Sequence, residues 1–380
     1  MTARSFVHSG VILLLLVSGV HAAEGSSGIE NTNFILRQPD IFNSADYVYD
    51  YNRLRLDSEG SAGDFFWTFT GDAVNFLGQG YVDSRDFHYL KASKADIPFD
   101  VRTTVYDYGC GAVFFRLHRL YGGYQDESQV LSVGIQKISM GVGRIWTPTD
   151  LYNPRNAYAL EPDEVSGVLA ADYTYSVSDM STLSSVISMR RDHTLKYAAR
   201  FKGYLRVADV GVDFIVSHDT LMIGYELEGN LFDTGAEWRS EGGYFRNYPM
   251  NAGFFQGIIG ADYGFENGLT VAVEMLYSSQ TFSYVNLLEN YDCEIANNMV
   301  MSPLYAGLTF QYDFNLVFSG SLLLIESFDG PASSFIAPVI TYTLNDHHTF
   351  SAGAQFNVGA GDSEFGMLGD IYYLKWKAAF

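Results

Sequence analysis

From residue 46 to its end, the chain divides into segments of about ten residues in which apolar and polar side chains alternate. Examples are VLAADYTYSV, STLSSVISM, VGVDFIVSH, LTVAVEMLYSS and HTFSAGAQFNV. Successive side chains of a strand point to opposite faces, so each segment has one apolar and one more polar face. The connections alternate too. Tight turns rich in Asn, Asp and Gly fall at 57–63, 124–128, 176–181, 206–210, 232–236, 265–269, 312–316 and 344–348. Longer stretches fall between them, at 77–110, 141–165, 189–194, 217–220, 245–252, 280–302, 327–334 and 357–368. An up-and-down meander with turns at one end and loops at the other has this punctuation. About 17 strands follow residue 46; an even, closed number adds NFILR at 33–37 to make about 18, or about 16 if one segment is divided too finely. The expected fold class is all-β, a transmembrane antiparallel up-and-down β-barrel of 16–18 strands.

Both chain ends fit this reading. Arg4, the apolar run VILLLLV at 11–17 and the small residues around Ala22 form a secretory signal peptide over 1–22, leaving a barrel over 23–380. No Cys marks the cleavage site. Beyond Ala22 no apolar run approaches the roughly 20 residues a membrane helix needs, so any crossing must use strands. The chain ends LGDIYYLKWKAAF. Tyr372, Leu374, Trp376, Ala378 and Phe380 share one face of that strand; Lys375 and Lys377 lie on the other. A terminal aromatic strand of this kind resembles the C-terminal signature of bacterial outer-membrane barrels. The resemblance implies the outer membrane as location. It also implies that the barrel-assembly machinery reads Tyr372, Leu374, Trp376 and Phe380.

Composition narrows the function. Asp and Glu number 44 against 23 Lys and Arg, a net charge of −21 that argues against nucleic acid as a partner. Acidic loops can share divalent cations with lipopolysaccharide, can keep the chain soluble in transit, or can favour cations in a pore; the residues leave these open. Cys110 and Cys293 both map to the loop side in an oxidising compartment, where a disulfide between them is allowed. There is no Cys-x-x-Cys-His, no zinc-binding His frame, no Gly-x-Ser-x-Gly and no phosphate loop. No cofactor, metal or catalytic activity is expected.

One segment, GIQKISMGVGRIWTPTDLYNPRNAYALEPDEVSG at 134–167, starts as a strand and then becomes rich in Gly and Pro. It resembles a pattern of a family of porin-like outer-membrane proteins of largely undefined substrate: Gly-Arg-Gln, Trp-Gly, Asn-Pro-Thr-Asp, then Asn-Pro. Gly134, Gln136, Gly141, Pro148, Thr149, Asp150, Asn153 and Pro154 match it; Ile135, Met140 and Thr147 stand where it has Arg, Trp and Asn. In general porins the third long loop folds into the barrel and sets acidic residues against a basic wall. On that expectation, Asp150, Glu161, Asp163 and Glu164 of loop 141–165, with Arg144, meet Arg53, Arg55, Arg116 and His118 at a constriction. The expected function is passive diffusion of small hydrophilic solutes, by a single barrel or a homo-oligomer. The alternatives are a structural barrel housing a partner protein and a lipid-active membrane enzyme.

Overall fold

The alternating segments pair into one antiparallel sheet that closes on itself. A computed structural model describes residues 24–40, 46–328 and 332–380. The expected signal peptide lies outside these residues. The sheet begins with β1 (Glu24–Pro39), β2 (Asp46–Ala62) and β3 (Phe65–Leu77). A short β4 (Arg102–Tyr108) precedes β5 (Gly111–Gln125), β6 (Gln129–Gln136), β7 (Val168–Ser178) and β8 (Ser181–Met189). Next come β9 (Leu195–Leu205), β10 (Ala208–Val216), β11 (Thr220–Asn230), β12 (Ala236–Asn247), β13 (Ala252–Gly264) and β14 (Leu269–Ser278). The ring is completed by β15 (Leu304–Asp313), β16 (Phe318–Ser327), β17 (Ser333–Asn345), β18 (His348–Val358) and β19 (Ile371–Ala379).

Closure runs through β1 and β19, paired from Glu30 opposite Ala379 to Arg37 opposite Tyr372. The segment expected at 33–37 therefore lies in the second half of the closing strand, which begins nine residues before it. β4 is no stave of the ring. β3 pairs directly with β5, and β4 lies only against the loop-end half of β5, from Arg102 opposite Arg116 to Tyr108 opposite Gly111. Among the described residues the barrel thus has 18 staves out of 19 strands, at the upper end of the expected range.

The two faces separate as alternation requires. Leu54, Leu56, Phe115, Val133, Phe201, Val212, Ile259, Val273, Ile340 and Leu374 are all exposed on the outside. Apolar outward residues on a closed barrel form the belt that faces lipid. The terminal strand obeys the same rule. Tyr372, Leu374 and Trp376 are exposed, while Lys375 and Lys377 reach inward to Glu161 (2.8 Å) and Glu30 (2.7 Å). Phe380 exchanges two backbone hydrogen bonds with Ile29, at 2.9 and 3.0 Å, which carries the closing seam one pair further.

Inside, apolar clusters form where loops fold onto the wall. The connection 78–110 contains helices α1 (Gln79–Val82) and α2 (Arg85–Ala92). Ser84 caps α2 by accepting from the Phe87 N–H at 3.2 Å. That helix drives Phe87, 1% exposed, among Phe34, Phe76, Tyr81 and Phe114. The connection 279–303, with helix α3 (Tyr284–Glu289), buries Phe282, Ile295 and Met299 against Phe245 and Phe254. The disulfide that the sequence allows is not formed: Cys110 and Cys293 are both free thiols. Cys110 precedes β5 and Cys293 precedes β15, on opposite sides of the ring, and the Cys293 thiol instead meets the Met299 sulfur at 3.8 Å.

Candidate functional site

Residues 137–167 leave the wall after β6 and return at β7. In between they touch walls on both sides of the lumen, and so act as a strap across it. The expected loop 141–165 is the centre of this longer segment. Its first half is held by three wall carboxylates, all within 1% of complete burial: Glu226, Glu241 and Glu274. Gly141 N–H donates to Glu226 (2.7 Å). Val142, Gly143 and Thr149 N–H groups donate to Glu241 at 2.6, 3.0 and 2.9 Å. Arg144, Ile145 and Trp146 N–H groups donate to Glu274 at 2.5, 2.8 and 3.3 Å. A backbone without regular structure is tolerated inside a barrel because these acceptors satisfy its amides. Gly141 has φ +86°, and a Cβ there would lie 2.5 Å from a Glu241 oxygen, so glycine is required twice over.

The middle of the strap holds itself. The Asp150 carboxylate accepts from the N–H groups of Met140 (3.1 Å), Tyr152 (3.0 Å) and Asn153 (2.8 Å). Asn153 accepts from the Ile138 N–H at 2.8 Å and donates to the Ser166 carbonyl at 2.7 Å. Asp150, with its carboxylate taken up by three amides of the strap itself, folds the loop and is not set against the basic wall as expected. The matched motif residues are therefore largely scaffold. Of the departures from the motif, Met140 packs in the apolar cluster and the Thr147 hydroxyl accepts from the Arg155 N–H at 3.0 Å.

The second half meets the basic wall. Arg53 pairs with Glu161 at 2.9 Å, and Arg55 pairs with both Glu164 and Asp72 at 2.8 Å. Arg116 reaches Asp72 at 2.7 Å, and His118 lies 3.5 Å from Glu164. Burial alone would raise the Glu164 carboxyl; the Arg55 hydrogen bonds and the Arg53 charge outweigh it and hold the group down at about 2. The expected residues Arg53, Arg55, Arg116, His118, Glu161 and Glu164 are brought together, in direct contact rather than across an open gap. Asp163 stays apart, exposed and 3.6 Å from Arg155. Arg144 lies on the opposite side, 3.5 Å from Glu237 and 3.7 Å from Glu228.

Sequence reasoning missed most of the acidic wall. Glu226, Glu241 and Glu274, with Asp213 and Asp262, stand in strands whose other face is apolar, so lumen-facing parity could have flagged them. Arg119 was less accessible. The pairing of β3 with β5 slips between Thr70 opposite Arg119 and Gly71 opposite Leu117, a bulge that shifts parity there. Arg119 donates to the Val165 carbonyl at 3.0 Å, securing the strap where it rejoins the wall. Between the strap and β14–β19 lies a cavity of about 310 Å³, whose lining includes Arg144, Arg155, Thr309, Gln311, Ser321 and Gln355.

Solved structures share this arrangement of strands. OpdK of Pseudomonas aeruginosa, an outer membrane protein, matches in its structure with vanillate at 10% identity and TM-score 0.57, over 94% of this chain and 98% of that one. OccK2 (OpdF) of the same organism, in complex with glucuronate, matches at 12% identity and TM-score 0.54, over 94% and 97%. OccAB1 of Acinetobacter baumannii matches at 9% identity and TM-score 0.58, over 96% and 98%. The fold is that of a porin-like outer-membrane barrel. No family model and no curated protein sequence matches the chain. The porin-like likeness, at these identities, is one of fold.

Proposed function

We propose that this porin-like barrel is a passive channel for small hydrophilic solutes in the outer membrane, and not an enzyme. The observation that carries the proposal is the strap. It crosses the lumen anchored to both walls, narrows the space between them, and leaves a cavity of about 310 Å³ beside it. Narrowing by a fixed loop between charged walls is how a channel filters by size and charge. OpdK and OccK2, whose folds it shares, were solved with vanillate and glucuronate, both small organic solutes. The lumen is occupied by loops of the chain itself, which favours a channel over a sheath for a partner protein.

On this reading, Arg53, Arg55, Arg116, His118, Glu161 and Glu164 form one edge of the constriction, and Arg144 with Glu228 and Glu237 forms the other. Tyr372, Leu374, Trp376 and Phe380 serve as the assembly signal. Conductance of the refolded barrel in a planar bilayer tests the proposal. Stable single-channel steps are expected; folded, inserted protein without conductance would refute it.

A further inference from the structure

The turn end of the barrel, which in outer-membrane barrels faces the periplasm, is not uniform. Tight turns favour small and polar residues, and three turns are polar at the tip. These are β2–β3 with Gly63 and Asp64, β5–β6 with Asp126 to Ser128, and β17–β18 with Asp346 and His347. The five consecutive turns from β7–β8 to β15–β16 depart from that chemistry. Each carries a large apolar side chain: Met180, Val207, Phe232, Phe265 and Leu316. All five are exposed, from 46% at Phe265 to complete exposure at Leu316. They form one arc, because β7 to β16 are successive neighbours in the ring; the polar tips occupy the remainder. Single exposed apolar residues are ordinary, but a contiguous row of them marks a contact surface.

Phe232 sharpens the point. Its φ is +52°, a left-handed conformation that suits Gly or Asn and is rare for a bulky side chain. Its ring is 86% exposed, so the protein gives it little cover. An apolar ring kept at a strained, uncovered position points to a contact outside the chain. The arc also continues the lipid-facing belt. At the end of β13 the outward Tyr263 packs edge-on against Phe265, with ring centres 4.6 Å apart, and at the end of β15 Tyr312 packs likewise against Phe314 at 5.2 Å. Phe318 with Tyr342, at 4.8 Å, and Phe350 with Trp376, at 6.5 Å, carry the row of outward aromatics on to the last strand. Such rows lie at the membrane–water interface. Exposed acids stand in or next to four of the five turns: Asp179, Asp233, Glu266 and Asp313. Apolar side chains interleaved with carboxylates suit the boundary between headgroups and acyl chains, where the acids still reach water.

We infer that Met180, Val207, Phe232, Phe265 and Leu316 insert together into the phospholipid of the inner leaflet, at its headgroup–acyl boundary. The barrel then grips the membrane by its turns over the arc β7–β16, and its polar turns stand free in the periplasm. Continuity with the outer belt favours phospholipid over a second copy of the chain as the occupant of this surface.

The refolded barrel, with Cys110→Ser and Cys293→Ser, is placed in nanodiscs of phosphatidylethanolamine and phosphatidylglycerol, which leave both membrane faces open to solvent. Bimane is attached through Leu316→Cys, through Phe232→Cys or, as the reference on the polar arc, through the exposed Glu127→Cys. A probe ~5–10 Å below the headgroup surface is out of reach of an aqueous quencher, so iodide is expected to quench at 316 and 232 on the order of fivefold less than at 127. A nitroxide on the lipid acyl chain, near the headgroup, is expected to quench strongly at 316 and 232 and weakly at 127. Equal iodide quenching at all three sites would overturn the inference. Shielding from iodide without quenching by the lipid nitroxide would assign the arc to a second copy of the chain, and overturn phospholipid as its occupant. Heat-modifiable gel mobility reports folding. If the cysteine replacements do not fold, Phe232→Asn in the otherwise unchanged chain carries the test. Asn adopts a positive φ more readily than Phe, so a solvated tip would keep or raise the urea midpoint in lipid vesicles. A lower midpoint is expected from loss of the ring's contact with lipid, and an unchanged or higher one overturns the inference.

Discussion

Asp150 accepts three backbone N–H bonds while nearly sealed from solvent. Burial pushes its carboxyl from the ordinary 3.8 up to about 6, with the three amides pulling the other way. A carboxyl raised in the folded state costs stability above its folded value, and that cost is relieved as pH falls through 6 towards 3.8. Hydrogen exchange across the strap, corrected for intrinsic rates, is therefore expected to be slower at mildly acidic than at neutral pH. The replacement Asp150→Asn turns one acceptor into a donor facing an N–H group. It should loosen the strap by about 1–3 kcal/mol and flatten that pH response; unchanged protection would show that Asp150 does not fold the loop. Glu164 behaves in the opposite sense. Its lowered value gives stability that is present above the ordinary 4.5 and lost only as pH falls through about 2. The two groups explain why acidic residues close together in sequence took different roles. Asp150 is followed by free amides in a tight turn, whereas Glu161 and Glu164 extend towards arginines on a distant strand.

The strap as an element is tied down unequally. Its second half depends on side-chain ion pairs; its first half depends on backbone amides donating to buried carboxylates. Replacing Glu241 and Glu274 with Ala removes acceptors for six of those amides. A loss on the order of 3 kcal/mol or more of strap stability is expected, because bonds to charged acceptors are the stronger kind. In bilayers this should appear as larger and noisier single-channel currents, and currents like those of the wild type would count against the strap as the constriction. Legibility differed along this element. Its Pro and Gly content announced a break in the wall. The Glu residues that hold it were visible only as single acids in unrelated strands, since the contacts span about 90 to 130 residues of chain. The terminal strand was easier to read, because its alternation is local. Phe380→Ala removes an exposed aromatic ring at the closing seam and should lower the yield of heat-modifiable barrel in the outer membrane; normal yield would remove Phe380 from the assembly signal.

Across the whole molecule, charge is sorted by sector. Arg53, Arg55, Arg116 and Lys375 gather near β1–β5 and β19, mostly paired. Around β10–β14 the buried carboxylates Asp213, Glu226, Glu241 and Glu274 outnumber their basic partners, chiefly Arg200 and Arg239. On the proposed function, a solute passing the strap would meet a field across the lumen, with the acidic side less neutralised. A weak preference for cations is expected from the reversal potential under a salt gradient. Arg116→Glu should strengthen it, and an unchanged reversal potential would exclude Arg116 from the path. The outer surface makes a separate prediction. Leu374 is 58% exposed on the lipid side, so Leu374→Arg should cost about 2–4 kcal/mol if it lies at mid-bilayer, read as a lower urea midpoint of the refolded barrel in lipid.

The sequence by itself determined the barrel. A period of two, the alternation of turns with loops and the aromatic terminal strand each act over a few residues, and together they specified closure, parity away from the bulge at Arg119, and a strand number between 16 and 18. It also marked 134–167 as the segment that leaves the wall, and Arg53, Arg55 and Arg116 as charges that must face inward. Only the tertiary structure decided what those charges meet. Glu161 and Glu164 neutralise the basic wall by contact, Asp150 is spent on the loop's own backbone, and Cys110 and Cys293 stand on opposite sides of the ring. Alternation specifies which face a residue occupies; which partner it finds across the lumen depends on the path of a loop held by long-range hydrogen bonds. A local pattern carries no record of such bonds.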